Sequence, residues 1–445
     1  MIYAINDHNH QLGREMKLTR KFLTTAIGGV ALAGVAAGAF AFWYVYEPAI
    51  DKIAKPDRAS FDQALVTRGE QLATVGDCIV CHTAENGKPF AGARPLPTPF
   101  GTLYSNNITP DEKTGIGNWS EVAFARAMKR GVARDGSHLY PALPYEHFTH
   151  VSTDDLHALY AFLMTRQPVS QEAPENELLP GLGFRPLLAG WKLLFLHQTE
   201  FAPVANQSEE WNRGKYLVDG LAHCGGCHTP RNLAGGEETG NEFAGGVAEG
   251  WNAPALDETN PSADSWTAAS LYTYLKNGFD KGHGAAGGPM GPVTEGLAKV
   301  NDSDVKAIAV YIASVMQEAQ PRGTLSPAVS IDNAKQAADA FPDGAHLFQG
   351  ACAGCHEPGS AMSQQGRPSL SNLTAIKMDD PTNAVAALLE GVPAPPGKGP
   401  FMPSFGPNLT DKELAELLAY VRSRFTNRPA WENLEKSVAS ASAEE

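Results

Sequence analysis

Six cysteines occur in the 445 residues, and they fall in three pairs of one pattern: Cys78-Ile79-Val80-Cys81-His82, Cys224-Gly225-Gly226-Cys227-His228 and Cys352-Ala353-Gly354-Cys355-His356. Two thiols one helical turn apart can add to the two vinyl groups of a porphyrin, and the next histidine is carried beneath the ring to ligate iron. C-x-x-C-H is therefore the attachment pattern of c-type haem. A redox dithiol or a zinc clip would account for one C-x-x-C. Neither requires histidine as the next residue three times, and a zinc clip wants ligand pairs that converge. The expectation is three covalent haems, held by Cys78 and Cys81, Cys224 and Cys227, and Cys352 and Cys355, with His82, His228 and His356 on the irons.

An electron-transfer haem usually carries a second axial ligand, and a methionine thioether there raises the potential. Two methionines sit in Gly/Pro-rich loops, where a core-filling role in a helix is disfavoured. They are Met290 in "GGPMGP", about 60 residues after His228, and Met402 in "GPFMPSFG", somewhat under 50 after His356. A ligating histidine normally donates its other N–H to a carbonyl, and Pro99, Pro254 and Pro368 stand in loops that could offer one. In the first module the loop reads "YPALPYEHFTH", and Leu143 stands where sulfur is expected. Either another side chain binds there or the iron is five-coordinate. His138, His150, Met128 and Met164 are nearby. His147, four residues on in the same loop, is the candidate ligand, since neutral imidazole binds iron well; the alternative is a histidine with no part in ligation. With His147 on the iron, the first haem would have a lower potential than the two Met-ligated ones.

These residues need elements to position them. Each module opens on a helical run before its motif ("VTRGEQLATVGDC", "WNRGKYLVDGLAHC", "DGAHLFQGAC") and closes on an amphipathic helix ("STDDLHALYAFLM", "NDSDVKAIAVYIASVM", "TDKELAELLAYVRSRF"). Ser152, Asn301 and Thr410 are placed as N-caps, with acidic residues in the first turn. First and last helices packed across each other would enclose each haem. The expected fold class is mainly α: three tandem haem domains at 60–170, 206–320 and 339–428, behind an N-terminal transmembrane helix. Around three domains also fit the length, at about 150 residues each. Linkers fall at 171–205 and 321–338, and the tail 432–445 reads as disordered.

Residues 22–46 contain no Asp, Glu, Lys or Arg, long enough to cross the hydrocarbon core at about 20 residues. Lys17, Arg20 and Lys21 precede the run and orient residues 1–21 to the cytoplasm. The haem domains are then expected on the periplasmic side of a bacterial inner membrane. A cleaved signal ending near Ala39-Phe40-Ala41 is the alternative, and Met16 resembles a second start. The apolar stretch 178–201 is too interrupted to span; it is expected to lie in the interface with Trp191, Lys192 and Phe195 at headgroup depth, or to be a linker helix buried against the haem domains or against a partner subunit.

A net charge of −14 with no basic stripe excludes nucleic acid as a natural partner. No dinucleotide fingerprint, P-loop, H-E-x-x-H or nucleophile elbow is present, so the chain alone is not expected to act on a substrate. "GDCIVCHTAENGKPFAGARPLPTPFGTLYSNNITPDEKTGIGNWS" followed by "GVARDGSHLYPALPY" resembles the tri-haem cytochrome c subunits of bacterial membrane-bound dehydrogenases, from about Thr67 to Phe425. That family serves quinoprotein alcohol dehydrogenases, flavoprotein gluconate, fructose and sorbitol dehydrogenases, and molybdenum-dependent aldehyde and nicotinate dehydrogenases. In the alcohol dehydrogenase type the first loop reads like "YPAMPY". "PALPYEHFTHVS" and "NELLPGLGFRPLLAGWKLLFL" look more like subunits serving molybdenum hydroxylases. The resemblance implies a molybdopterin-type dehydrogenase partner, aldehyde dehydrogenase first among them, with an iron–sulfur subunit, and ubiquinone as electron acceptor. A stand-alone membrane shuttle and a peroxidase-like haem enzyme using an open first iron are the readings of other classes.

Overall fold

The computed structural model describes residue 38 and residues 43–317, 331–364, 367–394 and 402–443. The apolar run 22–46 thus lies outside the described part, apart from Gly38 and its last four residues. Among the described residues no helix is long and apolar enough to cross a membrane.

The chain is mainly helical. The first module holds α1 (Gln63–Val75), α2 (Glu121–Arg130) and α3 (Thr153–Met164); α4 (Leu187–Phe195) follows in the connector. The second holds α5 (Glu209–Tyr216), α6 (Ala268–Asn277), α7 (Met290–Leu297) and α8 (Asp302–Met316). The third holds α9 (Pro342–Leu347), α10 (Thr382–Leu389), α11 (Asp411–Phe425) and α12 (Leu434–Ser442). The caps read from sequence form: the side chains of Ser152, Asn301 and Thr410 accept the N–H groups of Asp155, Asp304 and Glu413.

In every module the opening and closing helices cross at a glycine. A Cβ on Gly69 would lie 2.0 Å from the Ala158 carbonyl oxygen, one on Gly214 2.0 Å from that of Ala307, and one on Gly344 2.2 Å from that of Glu416. Only glycine lets the backbones approach so closely. One turn further along each closing helix an aromatic residue, Phe162, Tyr311 or Tyr420, packs on the same spot. One contact geometry is therefore built three times.

Modules one and two share a continuous apolar core, whereas the third has its own. The first two are also tied by polar groups. Asp155, only 2% exposed, accepts from Arg68 Nε at 2.9 Å on α1 and from the Tyr216 hydroxyl at 2.6 Å on α5. The second and third meet where the Asn383 side-chain amide receives the Asn252 N–H at 2.8 Å and donates to the Asn252 carbonyl at 2.7 Å.

Small hairpins follow the first two motifs. β1 (Pro95–Thr98) pairs antiparallel with β2 (Gly101–Tyr104), which also pairs with β3 (Glu177–Leu178); β4 (Gly246–Ala248) pairs with β5 (Trp251–Ala253). Each hairpin follows a C-x-x-C-H motif and returns the chain beneath it.

Three expectations are corrected. The tail is not disordered through 443: Leu434 and Val438, one helical turn apart on α12, bury with Trp431 against the third core. The stretch expected as linker up to 338 already contains helix Ala334–Ala340, whose Ala337 is buried. Within α4, Lys192 is not at headgroup depth. Its ammonium donates to the carbonyls of Arg130 and Gly131 at 3.0 Å each, at the C-terminal end of α2, where the helix dipole favours a cation. Trp191 and Phe195 also turn inward, onto Ala234 and Gly236. The leucines face out instead: Leu187, Leu193 and Leu194 are 56%, 64% and 66% exposed.

Candidate functional site

The three motifs form single helical turns, Cys78–Cys81, Gly225–His228 and Ala353–His356. In the first two, the residue before the leading cysteine takes the left-handed conformation: Asp77 at φ 49° and His223 at φ 40°. Burial pushes the thiols up, to about 12 at Cys78 and Cys224 and about 11 at Cys81 and Cys352. Such groups are poor thiolates and unsuited to disulfide exchange. Among the described residues no group of three or more His, Cys, Asp or Glu is placed to hold a metal ion.

The histidines fit a haem. His82 Nδ1 donates to the Asn106 carbonyl at 2.7 Å and His228 Nδ1 to the Pro254 carbonyl at 2.6 Å. Asn106 lies just past β2 and Pro254 directly after β5, so the hairpins deliver both acceptors. A proton fixed on Nδ1 leaves the Nε2 lone pair for a metal. Burial lowers the pKa of both rings, which favours the neutral form that a metal needs. Pro254 is the acceptor expected from sequence; Asn106 takes the place assigned to Pro99. At the third motif His356 Nδ1 is buried without a partner among the described residues, so Pro368 does not serve it. Burial takes this ring down to about 4.

The distal loops of the first two modules are built to one plan. α2 and α6 each end on a left-handed glycine, Gly131 at φ 57° and Gly278 at φ 67°. From each a short hairpin returns, with Leu139 N–H on the Gly131 carbonyl and Ala286 N–H on that of Gly278. Leu143 and Met290 then stand at the same offset, each with its N–H on the carbonyl three residues back, Tyr140 and Gly287. Both side chains are half-buried against the shared core. Met402 is likewise half-buried, bridged to Val392 just after the left-handed Gly391.

His147 does not fit its expected role. Its Nδ1 bonds the Asp219 carbonyl at 2.9 Å and its Nε2 bonds Glu237 Oε1 at 2.7 Å, which leaves no lone pair for iron. The ring lies against Gly225 inside the second motif, so the loop after Leu143 braces the neighbouring module. Burial pulls this imidazole down, but the Glu237 hydrogen bond and charge outweigh it and hold the pKa above its ordinary value. Beside it Glu146 is raised to about 7, chiefly by burial.

The first two motifs are neighbours. Arg94 donates to the Val80 carbonyl inside motif one at 3.3 Å and to Glu249 of the second module at 3.2 Å, and Cys227 is among the groups that raise Cys81. The second and third modules touch at Asn252, next to Trp251. The indole of Trp251 lies over Gly287 and Gly288, leading into Met290. Sequence reasoning missed Asn106, Glu237 and the Asn252–Asn383 pair. A backbone carbonyl has no residue-type signature, and the other two act across modules far apart in sequence.

The cytochrome c family model matches residues 212–316 and 341–425. The chain is 44% identical over 414 residues to a nicotinate dehydrogenase subunit of Pseudomonas putida, covering 92% of this chain and 34% of that protein. It is 34% identical to the fructose dehydrogenase cytochrome subunit of Gluconobacter japonicus (84% of this chain, 82% of that one). It is 33% identical to the cytochrome c subunit of the quinone-type alcohol dehydrogenase of Gluconobacter oxydans (82% and 80%). The chain thus spans about a third of the nicotinate dehydrogenase subunit and most of the other two. It belongs to the cytochrome c subunits of bacterial dehydrogenases. Its role is that of a cytochrome c electron-transfer subunit, with covalently bound haem c.

Proposed function

We propose that this chain carries three covalent haems c and passes electrons, one at a time, from a periplasmic dehydrogenase to ubiquinone in the bacterial inner membrane. Bound haem supplies reversible one-electron chemistry at iron; the chain fixes where each iron sits and how readily it takes an electron. Cys78 and Cys81, Cys224 and Cys227, and Cys352 and Cys355 attach the three groups. His82, His228 and His356 are the proximal ligands, and Met290 and Met402 the distal ligands of the second and third. The observation that carries this reading is the pair of histidines, His82 and His228, whose Nδ1 is tied to a carbonyl, the second in the module whose distal loop holds Met290.

The partner is proposed to be a molybdopterin-type dehydrogenase with an iron–sulfur subunit, oxidising an aldehyde or a nitrogen heterocycle. The "PALPYEHFTH" loop supports this, as does the higher identity to the nicotinate dehydrogenase subunit than to the sugar and alcohol dehydrogenase subunits. Membrane attachment is supported by the charge-free run 22–46. The outward leucine face of α4 supports it too, as does a cavity of about 430 Å³ between Trp43, Tyr46, Glu47 and Lys192 at the edge of that face, with room for a quinone head group.

The test is to solubilise membranes gently, purify the complex through this chain, and assay molybdenum, iron, flavin and quinone cofactor. Molybdenum with iron beyond that of the haems is expected. Flavin or a quinone cofactor without molybdenum would instead mean a sugar or alcohol dehydrogenase partner.

A further inference from the structure

Resting on the three-haem reading above, we infer that no side chain of this protein binds the distal face of the first iron. Leu143 covers an exchangeable coordination position there, open to small ligands such as carbon monoxide or cyanide.

Leu143 and Met290 are equivalent by structure as well as by position along their modules. Each stands twelve residues after a left-handed glycine (131 to 143 and 278 to 290), beyond a hairpin closed by a matching hydrogen bond, and each closes a turn onto the residue three back. Each side chain is half-buried on the same shared core. Leucine offers no lone pair, so the position that carries the thioether in module two carries only hydrocarbon in module one.

The methionines and histidines that flank the first module's distal loop are enclosed by protein or hydrogen-bonded elsewhere. A distal ligand must present its donor atom to the space that the haem occupies, so its side chain is not enclosed by protein, and those of Met290 and Met402 are only half-buried. Met128 and Met164 are 8% and 0% exposed, surrounded by protein atoms. Both nitrogens of His147 are bonded. His150 is held by the Thr199 carbonyl and faces Gly220 of the second module. His138 is only 5% exposed: its Nε2 bonds the Val45 carbonyl at 2.8 Å, its Nδ1 is enclosed with no partner among the described residues, and it stands at the position that Ala285 takes in module two, five residues ahead of the ligand position. His223 corresponds to Asp77, before the leading cysteine on the proximal side. Outside the described residues the only other methionines and histidines are Met1, His8, His10 and Met16, ahead of the apolar run.

The test uses the purified complex, with covalent haem counted first by the pyridine haemochrome assay. Spin state is read by electron paramagnetic resonance and ligand binding by the Soret shift under carbon monoxide. The wild type is expected to show one high-spin haem in three and to bind one carbon monoxide per chain. Leu143→Met should abolish both signals, and Met290→Leu should raise carbon monoxide binding to two per chain. Three haems all low-spin and unreactive in the wild type would overturn the inference, as would a Leu143→Met chain that still binds the gas. Fewer than three covalent haems would instead count against the function proposed above, so the two failures are distinguishable. A Leu143→Met chain that does not fold leaves the wild-type spectrum and the Met290→Leu count to decide.

Discussion

His147 Nε2 lies 2.7 Å from Glu237 Oε1, joining the distal loop of the first module to the loop that follows the second C-x-x-C-H. This bond makes a brace of a residue that sequence alone offered as an iron ligand. His147→Ala is expected to leave the first haem's spectrum and potential unchanged while lowering stability by about 2–3 kcal/mol, the worth of a buried charge-assisted hydrogen bond. Equilibrium urea unfolding with parallel redox titration checks both halves.

The same pair sets a pH window. His147 is raised in the folded chain, so its contribution is complete below the unfolded histidine value of about 6.5 and is lost as pH rises through the folded value. Glu237 is lowered on balance: burial raises it, but the His147 hydrogen bond and the nearby charges of His147 and Arg231 prevail. Its contribution is therefore present above about 4.3 and lost as pH falls through its folded value. The stability gap between wild type and His147→Ala should be widest from about pH 4.5 to 6.5. A gap flat from pH 5 to 9 would show that charge is not involved.

The glycine crossings give a sharp steric prediction. Gly214→Ala would set a methyl 2.0 Å from the Ala307 carbonyl oxygen, and forcing α5 and α8 apart should cost about 3 kcal/mol or more. Gly190→Ala on exposed α4, where a Cβ meets nothing within 4 Å, should be neutral or gain up to about 1 kcal/mol. Thermal melts of the two variants side by side suffice.

Arg424, 2% exposed, pairs with Asp332 at 2.7 Å and with Glu357, the neighbour of His356, at 2.8 Å. Arg424→Met should destabilise the third module by about 3–5 kcal/mol, since two carboxylates lose their partner. The first two modules should be spared because the third core is separate. Arg424 also holds the Asp332 carboxyl below its usual range. The wild-type advantage is therefore present above the ordinary carboxylate value, about 3.9, and fades as pH falls through the folded value. Hydrogen exchange resolved by module, followed down the pH scale, tests this.

Much of the scaffold was legible because its signals are local. Capped closing helices, the helical runs ahead of each motif and the C-x-x-C-H turns each lie within one short window. Met290 and Met402 stood out as candidates because Gly and Pro mark their loops. His147 was misjudged because proximity along the chain to Leu143 says nothing of Glu237, ninety residues away. α4 was misread for a related reason. Its lysine looked like an interfacial residue until the carbonyl end of α2 arrived from the preceding module to bind it. Leu434 and Val438 were discounted because a small-residue tail hid their helical spacing.

The most direct measurement is the intact mass of the denatured chain, isolated from cells that make c-type haem, together with alkylation of its thiols. Three covalent haems and no alkylatable cysteine are expected, with each Cys-to-Ala double variant at one motif losing one haem. A bare polypeptide mass with six reactive thiols would contradict the assignment of all three sites.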